Sequence, residues 1–140
     1  MQLQLVTLDG VKYSEDAYSI VLPTLAGQIT VLPGHEPLLT ALTAGVVTIR
    51  RKSTDDDNHV EHFATYGGLA EISRETVKVL VDEATHGDEI NAAEAQKAHD
   101  EAQKLVAAAK NQVDLEHAQA LVDRHAVRLH VAGLRRRHKR

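Results

Sequence analysis

Histidines are the side chains of this sequence best suited to chemistry, because nine occur among 140 residues while cysteine is absent. A metal site needs imidazoles or carboxylates that converge from one face of a helix or strand. His59 and His62 are three apart in a predicted strand, so we expect them to point to opposite faces. His125 and His130 are five apart, which fits one helical face poorly. The pattern therefore predicts no metal site and no resident cofactor.

Catalytic and nucleotide-binding motifs are missing from the sequence. Neither the P-loop nor the dinucleotide-binding glycine pattern occurs, and we interpret Gly67-Gly68 as an isolated pair in a turn. The adjacent carboxylates Asp82 and Glu83 would point to opposite faces of a strand. No serine or threonine lies in a nucleophile-elbow context. We therefore expect a protein without catalytic residues of its own.

Charge is distributed unevenly along the chain, whose formal net charge is −4. Residues 1–86 carry twelve acidic and six basic side chains (−6), and residues 87–123 carry eight and three (−5). Residues 124–140 carry seven basic side chains and no acidic one (+7). The positive charge is thus confined to the C-terminal end.

Three interpretations of this basic end are open. Cations near a helix C-terminus complement the helix dipole and keep a tail soluble. Alternatively, Arg124 and Arg128 lie four apart on one helical face, a spacing that suits an acidic partner surface. A third possibility is a phosphate clamp for nucleic acid formed by residues 135–140. The overall acidity, the single phenylalanine and the absence of tryptophan argue against nucleic acid as a partner.

The first part of the chain has the apolar pattern of short strands. Alternating or short apolar runs continue to about Ala84, and the three prolines are interpreted as strand ends because proline lacks the amide proton of a sheet ladder. Gly45 and Gly67-Gly68 are interpreted as further turns, and residues 52–58 as a polar hairpin tip. This spacing predicts an antiparallel β-sandwich in residues 1–86.

The period changes to that of helices in residues 87–140. Asn91 and Glu94 form a capping box, after which alanines dominate one helical face. Asn111 is interpreted as the C-cap of this helix and Asp114 as the N-cap of the next. The second apolar stripe runs from Leu115 to Leu129. The predicted fold class is therefore α+β, mainly β: an N-terminal antiparallel sandwich followed by an antiparallel two-helix hairpin, which an alanine seam would hold weakly.

Membrane segments are not predicted. The first eight residues alternate like a strand and lack the basic start of a signal peptide. No apolar run approaches the ~20 residues that span a bilayer. We expect association with a membrane only through a complex.

Several motifs resemble one known family. The first motif lies within residues 18–42 and consists of Leu-Pro, then Gly, then Val-Leu-Pro-x-His-x-Pro-Leu-Leu-Thr-Ala-Leu. The others are Tyr-Gly-Gly-Leu-Ala-Glu-Ile at 66–72, Val-Lys-Val-Leu-Val-Asp-Glu-Ala at 77–84 and the segment 88–98. In this order they resemble the bacterial type of epsilon subunit of the F-type rotary ATP synthase. The resemblance covers nearly the whole chain. It implies a sandwich followed by a helical hairpin.

The resemblance also implies partners and contact residues. Such subunits are non-catalytic, bind the gamma subunit and the ring of c subunits in the central stalk, and sit at the cytoplasmic face of the bacterial plasma membrane. By resemblance, Gln28 and the turn from His35 through Glu36 to Pro37 would contact the ring, with His35 and Thr40 near gamma.

In the family, the hairpin either folds onto the sandwich or extends into the catalytic head and inhibits ATP hydrolysis. The resemblance implies that Arg124, Arg128 and Arg135 contact the alpha and beta catalytic subunits. A purely structural stalk subunit without inhibition is the alternative. Some members bind ATP through an Ile/Leu-Asp-x-x-Arg-Ala motif, but here Asn91 and Glu94 replace its aspartate and arginine. We therefore expect little or no ATP binding.

Overall fold

The computed structural model describes the backbone of residues 1–138 and the side chains of residues 1–135. The strands are β1 Gln2–Thr7, β2 Gly10–Asp16, β3 Ser19–Thr24, β4 Gly27–Val31, β5 Leu38–Arg50, β6 Glu61–Ile72, β7 Thr76–Val81 and β8 Ala84–His86. The helices are α1 Ala92–Ala108 and α2 Gln112–His138, with short 3-10 turns at Asp57–His59 and Gly87–Glu89. A mainly-β sandwich followed by two helices confirms the predicted fold class.

The strands form one hydrogen-bonded sheet that folds over its own core. Its order is β2-β1-β7-β6-β5-β3-β4, and β8 pairs with β6. These pairs are antiparallel except that of β1 with β7, which is parallel. The core is aliphatic apart from Tyr13 and Phe63, and it draws its buried side chains from Leu3 to Ala84. No described side chain of the helices belongs to this cluster, so the sandwich has its own hydrophobic core.

The long strand β6 changes partner at the two glycines that the sequence pattern placed in a turn. Phe63–Thr65 pair with β8, whereas Gly68–Ile72 pair with β7. Gly67 and Gly68 have φ values of 109° and 151°, and a Cβ at Gly68 would overlap the carbonyl oxygen of Leu80. The predicted turn is therefore wrong: these glycines bend a continuous strand that approaches its neighbour closely.

Two other expected strand ends also lie inside strands. Gly45 belongs to β5, where a Cβ would lie 2.6 Å from the Cβ of Pro23. Pro23 belongs to β3, and the register of β3 against β5 shifts between Val21 and Thr24. This irregularity accommodates a residue that cannot donate to the ladder. Gly45 and Pro23 thus pack against each other across the paired strands β5 and β3 instead of ending these strands.

Both helices begin with a capping asparagine, but the cap of α2 is not the residue that the sequence pattern predicted. Asn91 Oδ1 accepts a hydrogen bond from the amide of Glu94 at 3.1 Å, which confirms the predicted cap of α1. Asn111 Oδ1 accepts from the amide of Asp114 at 2.8 Å, so Asn111 caps the start of α2 and not the end of α1. Asp114 lies in the first turn of α2, where its carboxylate faces the positive end of the dipole.

The hairpin is held by two small sets of buried side chains. Ala102 and Ala118 are buried, as the alanine seam predicted. The second set, which we call the docking cluster, joins both helices to the outer face of β5 and β6. Its members are Val46, Ala64, Ile90, Ala95, Val131 and Ala132. The predicted stripe of α2 stopped at Leu129 and therefore missed the two residues that anchor this helix most deeply.

Candidate functional site: the docked helical hairpin

Helix α2 presents cations to the sandwich along the face that packs on it. Arg124, Arg128 and Arg135 are separated by four and seven residues, which places them on one side of the helix. All three side chains are partly buried. The basic residues predicted to meet the catalytic subunits thus face the sandwich in this structure.

Arg124 joins the hairpin to the sandwich through two polar contacts. Its Nη2 donates to Glu83 Oε2, and its Cζ lies 4.4 Å from the ring centroid of Tyr66. Exposures of 37% for the Arg124 side chain and 41% for that of Glu83 leave this pair accessible to water. Exposed ion pairs and cation–π contacts each contribute about 1 kcal/mol or less, so the contact is one that can be exchanged for another partner.

Tyr66 packs under the guanidinium of Arg124 and lies near the charge of Arg128. Burial raises the pKa of its phenol, and the nearby cations of Arg128 and Arg124 oppose that rise. The ring also packs against the docking cluster. Tyr66 therefore connects the polar and the apolar part of the docked hairpin.

Arg135 ties the last part of α2 to the linker between the two halves of the chain. Its Nη1 donates to the carbonyl oxygen of Gly87 at 2.9 Å. Gly87 is buried, and a Cβ there would lie 3.2 Å from Cγ1 of Val131. The close approach favours glycine at this linker position. Of the basic tail predicted beyond Arg135, residues 139–140 and the side chains of 136–138 lie outside the described part of the structure.

A groove of about 560 Å³ opens beside this linker, between the end of α2 and the β5–β6 connection. Positive and negative side chains alternate along it, including Arg51, Glu61, His86, Asp88 and Arg135. His86 Nδ1 accepts from the amide of Asp88 at 3.0 Å, and its Nε2 lies 3.6 Å from Glu61 Oε2. Because these groups pair with one another, the groove has no clear preference for an anion or a cation.

Metal-ligating side chains do not cluster within residues 1–135: no group of three or more lies close enough to hold an ion. His59 lies in the 3-10 turn rather than in the predicted strand, and its Nδ1 is 2.6 Å from Asp56 Oδ1. Asp56 caps that turn. The cap at Asp56 therefore favours a 3-10 turn at His59, where the sequence pattern predicted a strand.

The residues predicted to face gamma and the c-ring lie at two places. The turn from His35 to Pro37 connects β4 to β5 and is fixed by the amide of Gly34, which donates to the carbonyl oxygen of Arg74 at 2.9 Å. Thr40 follows in β5. Glu36 and Pro37 are exposed, so this end of the sandwich is open to a partner.

Gln28 does not lie with this turn. It belongs to the opposite end of β4, where it is exposed and lines a groove of about 360 Å³ together with Val127 and His130 of α2. The structure therefore places Gln28 beside the folded hairpin. A surface that includes both Gln28 and His35 would have to extend along the whole of β4.

Exposed leucines also occur at the end of the sandwich that carries the turn from His35 to Pro37. Leu38, Leu39, Leu69 and Leu80 are 40–64% exposed, and Leu69 pairs with Leu80 across β6 and β7. Contiguous exposed apolar side chains are typical of an interaction surface. The strand alternation predicts the outward direction of Leu39, Leu69 and Leu80, whereas Leu38 precedes Leu39 directly in β5 and falls on the opposite face. Glu83 and Tyr66, which hold Arg124, carry no local signal because the ion pair joins residues 41 apart.

Neither helix in the described chain has an apolar stretch long enough to cross a lipid bilayer.

The sandwich defines the class of protein. Residues 1–87 match the family described as "ATP synthase, Delta/Epsilon chain, beta-sandwich domain". In fold, the chain resembles one in a cryo-EM structure of the Euglena gracilis mitochondrial ATP synthase (OSCP/F1/c-ring). The TM-score is 0.80 at 21% identity, covering 93% of this chain and 79% of that one.

Relatives over nearly the full length are ATP synthase epsilon chains. That of Lacticaseibacillus casei is 34% identical over 134 residues, covering 94% of this chain and 92% of the relative. That of Nostoc punctiforme is 36% identical over 122 residues, covering 87% and 84%. That of Moorella thermoacetica is 33% identical over 133 residues, covering 95% and 96%. The chain belongs to the ATP synthase epsilon chain family, which confirms the resemblance seen in its motifs.

Proposed function

We propose that this chain is a non-catalytic central-stalk subunit that connects the catalytic head of an F-type ATP synthase to its c-ring and restrains ATP hydrolysis through its helices. Full-length similarity to epsilon chains supports the assignment. The chain acts as two units, a sandwich of residues 1–86 and a hairpin of residues 87–140. It works at the cytoplasmic face of a bacterial plasma membrane, which it meets only through the complex.

The sandwich binds gamma and the c-ring through the end that carries the His35 turn. His35, Glu36, Pro37 and Thr40 make these contacts beside the exposed leucines, and Gln28 contributes from the other end of β4. Two features support this placement: Glu36 and Pro37 are exposed, and Leu39 is 64% exposed on the adjoining strand.

Binding to a purified gamma–c-ring subcomplex tests this surface. We expect Glu36→Arg to raise the dissociation constant at least tenfold, because it reverses a charge in the contact. Glu101→Arg reverses an exposed charge on α1 and serves as the matched control. Equal affinities for the two variants would refute the placement.

The hairpin restrains hydrolysis when α2 leaves the sandwich and presents its arginines to acidic segments of the alpha and beta subunits. Arg124, Arg128 and Arg135 make these contacts. The observation that carries the proposal is their engagement in the docked state, where Glu83, Tyr66 and the Gly87 carbonyl occupy them. The sandwich and the catalytic subunits would then compete for the same face of α2.

Steady-state hydrolysis by a matched catalytic head with gamma tests the arginine contacts. We expect Arg128→Ala to weaken inhibition by the full chain, while the exposed Lys110→Ala leaves it unchanged. A purely structural stalk subunit would bind the head without changing its rate. In that case inhibition is absent for every variant, and this half of the proposal fails.

ATP does not hold the hairpin folded in this chain. The positions of the family motif carry Asn91 and Glu94, and Asn91 Oδ1 already accepts the Glu94 amide as a helix cap. A carboxylate at Glu94 would repel phosphate. Isothermal titration with ATP should show no binding at micromolar concentrations, and a low-micromolar dissociation constant would contradict this.

A further inference from the structure

Two histidines lie in the hairpin with a buried ring nitrogen each. They are His99 of α1, whose side chain is 17% exposed, and His125 of α2. The Nδ1 atoms of both rings are inaccessible to water and have no hydrogen-bond partner among the described residues. A proton added to Nδ1 of His125 would become a buried donor without an acceptor among the described residues, which is costly. The docked hairpin therefore favours a neutral His125 ring with the proton on Nε2.

The charges on the helices oppose a positive charge on His125. Arg124 and Arg128 stand one and three residues away on the same helix, and His99 acts on it from α1. On α1, the carboxylate of Asp100 lies 3.9 Å from Nδ1 of His99.

The sandwich side offers His125 little compensation. The sandwich residues Tyr66 and Glu83 contact the neighbouring Arg124. Glu83 is already paired with Arg124, and the phenol of Tyr66 is neutral near pH 7. Protonated His125 would thus sit among cations in a partly buried position.

Docking and protonation of His125 are consequently linked. Burial, followed by the cations of Arg128, Arg124 and His99, holds the pKa of His125 below its ordinary value of 6.5. When α2 separates from α1 as it leaves the sandwich, the burial and the influence of His99 are lost and the pKa rises toward that value. The released state then binds a proton at His125 more readily than the docked state does. The free energy of docking is therefore at its full value above about pH 6.5, and docking weakens as the pH falls through the pKa of His125 in the docked state.

We propose that the hairpin is a pH-sensitive element, in which protonation of the His125 imidazole beside His99 and two arginines favours release of α2 from both α1 and the sandwich. The consequence for the enzyme rests on the proposed function: mild acidification shifts the subunit toward the state that restrains hydrolysis. The release itself is a property of the isolated chain and is tested there.

Energy transfer between two dyes measures the release. The natural sequence contains no cysteine, so Ser53→Cys in the sandwich and Val113→Cys at the exposed start of α2 give two labelling sites. We expect transfer efficiency in the otherwise unchanged full chain to fall reversibly between pH 7.5 and 5.5. His125→Gln should abolish most of this fall, because its amide does not titrate. His130→Gln, an exposed histidine of the same helix, should retain it.

A constant transfer efficiency in the unchanged sequence, or an equal fall in the His125→Gln variant, would overturn the proposal. A second measurement needs no substitution at His125. The imidazole proton resonances of the full chain, followed by NMR, should show His125 titrating below its ordinary pKa of 6.5, and a midpoint at or above that value would also overturn the proposal. Because neither experiment contains the catalytic head, a failure here leaves the proposed inhibition untouched, and a failure of inhibition leaves the pH dependence standing.

Discussion

Arg124 shows at the scale of a single residue how the hairpin is held to the sandwich. In the docked hairpin its guanidinium meets Glu83 and the ring of Tyr66. Both contacts are partly exposed and individually weak, as the proposed exchange of Arg124 between the sandwich and the catalytic subunits requires. Its position on α2 was predictable from charge and spacing. Its partners were not, because a tertiary contact between residues 41 apart leaves no periodic signal in the sequence.

Removing the charge of Glu83 tests this contact. We expect Glu83→Gln to weaken docking by less than about 1 kcal/mol, the usual contribution of an exposed ion pair. Amides of α2 should then exchange hydrogen faster while those of the sandwich core stay unchanged. Glu15→Gln is the matched control, because it breaks an ion pair between two residues of the sandwich, Glu15 and Arg51, that does not involve the helices. Unchanged exchange in α2 for Glu83→Gln would show that the pair does not hold the helix.

Gly68 is the residue at which backbone freedom matters most. Its φ is 151°, and a Cβ added there would overlap the carbonyl oxygen of Leu80. We therefore expect Gly68→Ala to destabilise the sandwich by about 1–3 kcal/mol or more, which thermal unfolding checks. Gly133→Ala is the control: nothing lies within 4 Å of a Cβ there, and alanine favours the helix. A melting temperature for Gly68→Ala equal to that of the natural sequence would contradict a close approach of β6 to β7 at this glycine.

The elements differ in how far the sequence predicted them. Hydrophobic periodicity placed the sandwich and both helices, and the cap at Asn91 was correct. The predicted turns at Gly45 and Gly67-Gly68 are wrong because glycine marks a bend or a close approach inside a strand as readily as a turn. The predicted C-cap at Asn111 is wrong because one asparagine can end a helix or begin the next. Distinguishing these cases requires the neighbouring strand or helix.

Helix α2 is anchored by its C-terminal half. Val131 is fully buried in the docking cluster, so Val131→Ala removes about two buried carbons and should cost about 1.5 kcal/mol of docking, plus the cost of any remaining cavity. Hydrogen exchange of α2 should report the loss, with little effect on the sandwich core. Val113→Ala, at a position 74% exposed on the same helix, is the control. Equal effects of the two substitutions would place the anchor elsewhere.

The whole molecule combines a sandwich that has its own core with a hairpin that shares only a small cluster with it. Within residues 1–135, the core draws no side chain from the helices, and the docking cluster contains few large residues. Such a division lets one part stay bound to a partner while the other rearranges. The seventeen C-terminal residues carry seven cations and no acid, a charge that would attract acidic surfaces if the hairpin is released as proposed.

ATP hydrolysis by a matched catalytic head with gamma tests the central claim most directly. The full chain is compared at equal occupancy with a chain that ends at His86, which retains every residue of the sandwich core. We predict that both bind gamma and that only the full chain slows hydrolysis. Inhibition of equal strength by the shortened chain, or none by the full chain, would contradict a restraint exerted through α2.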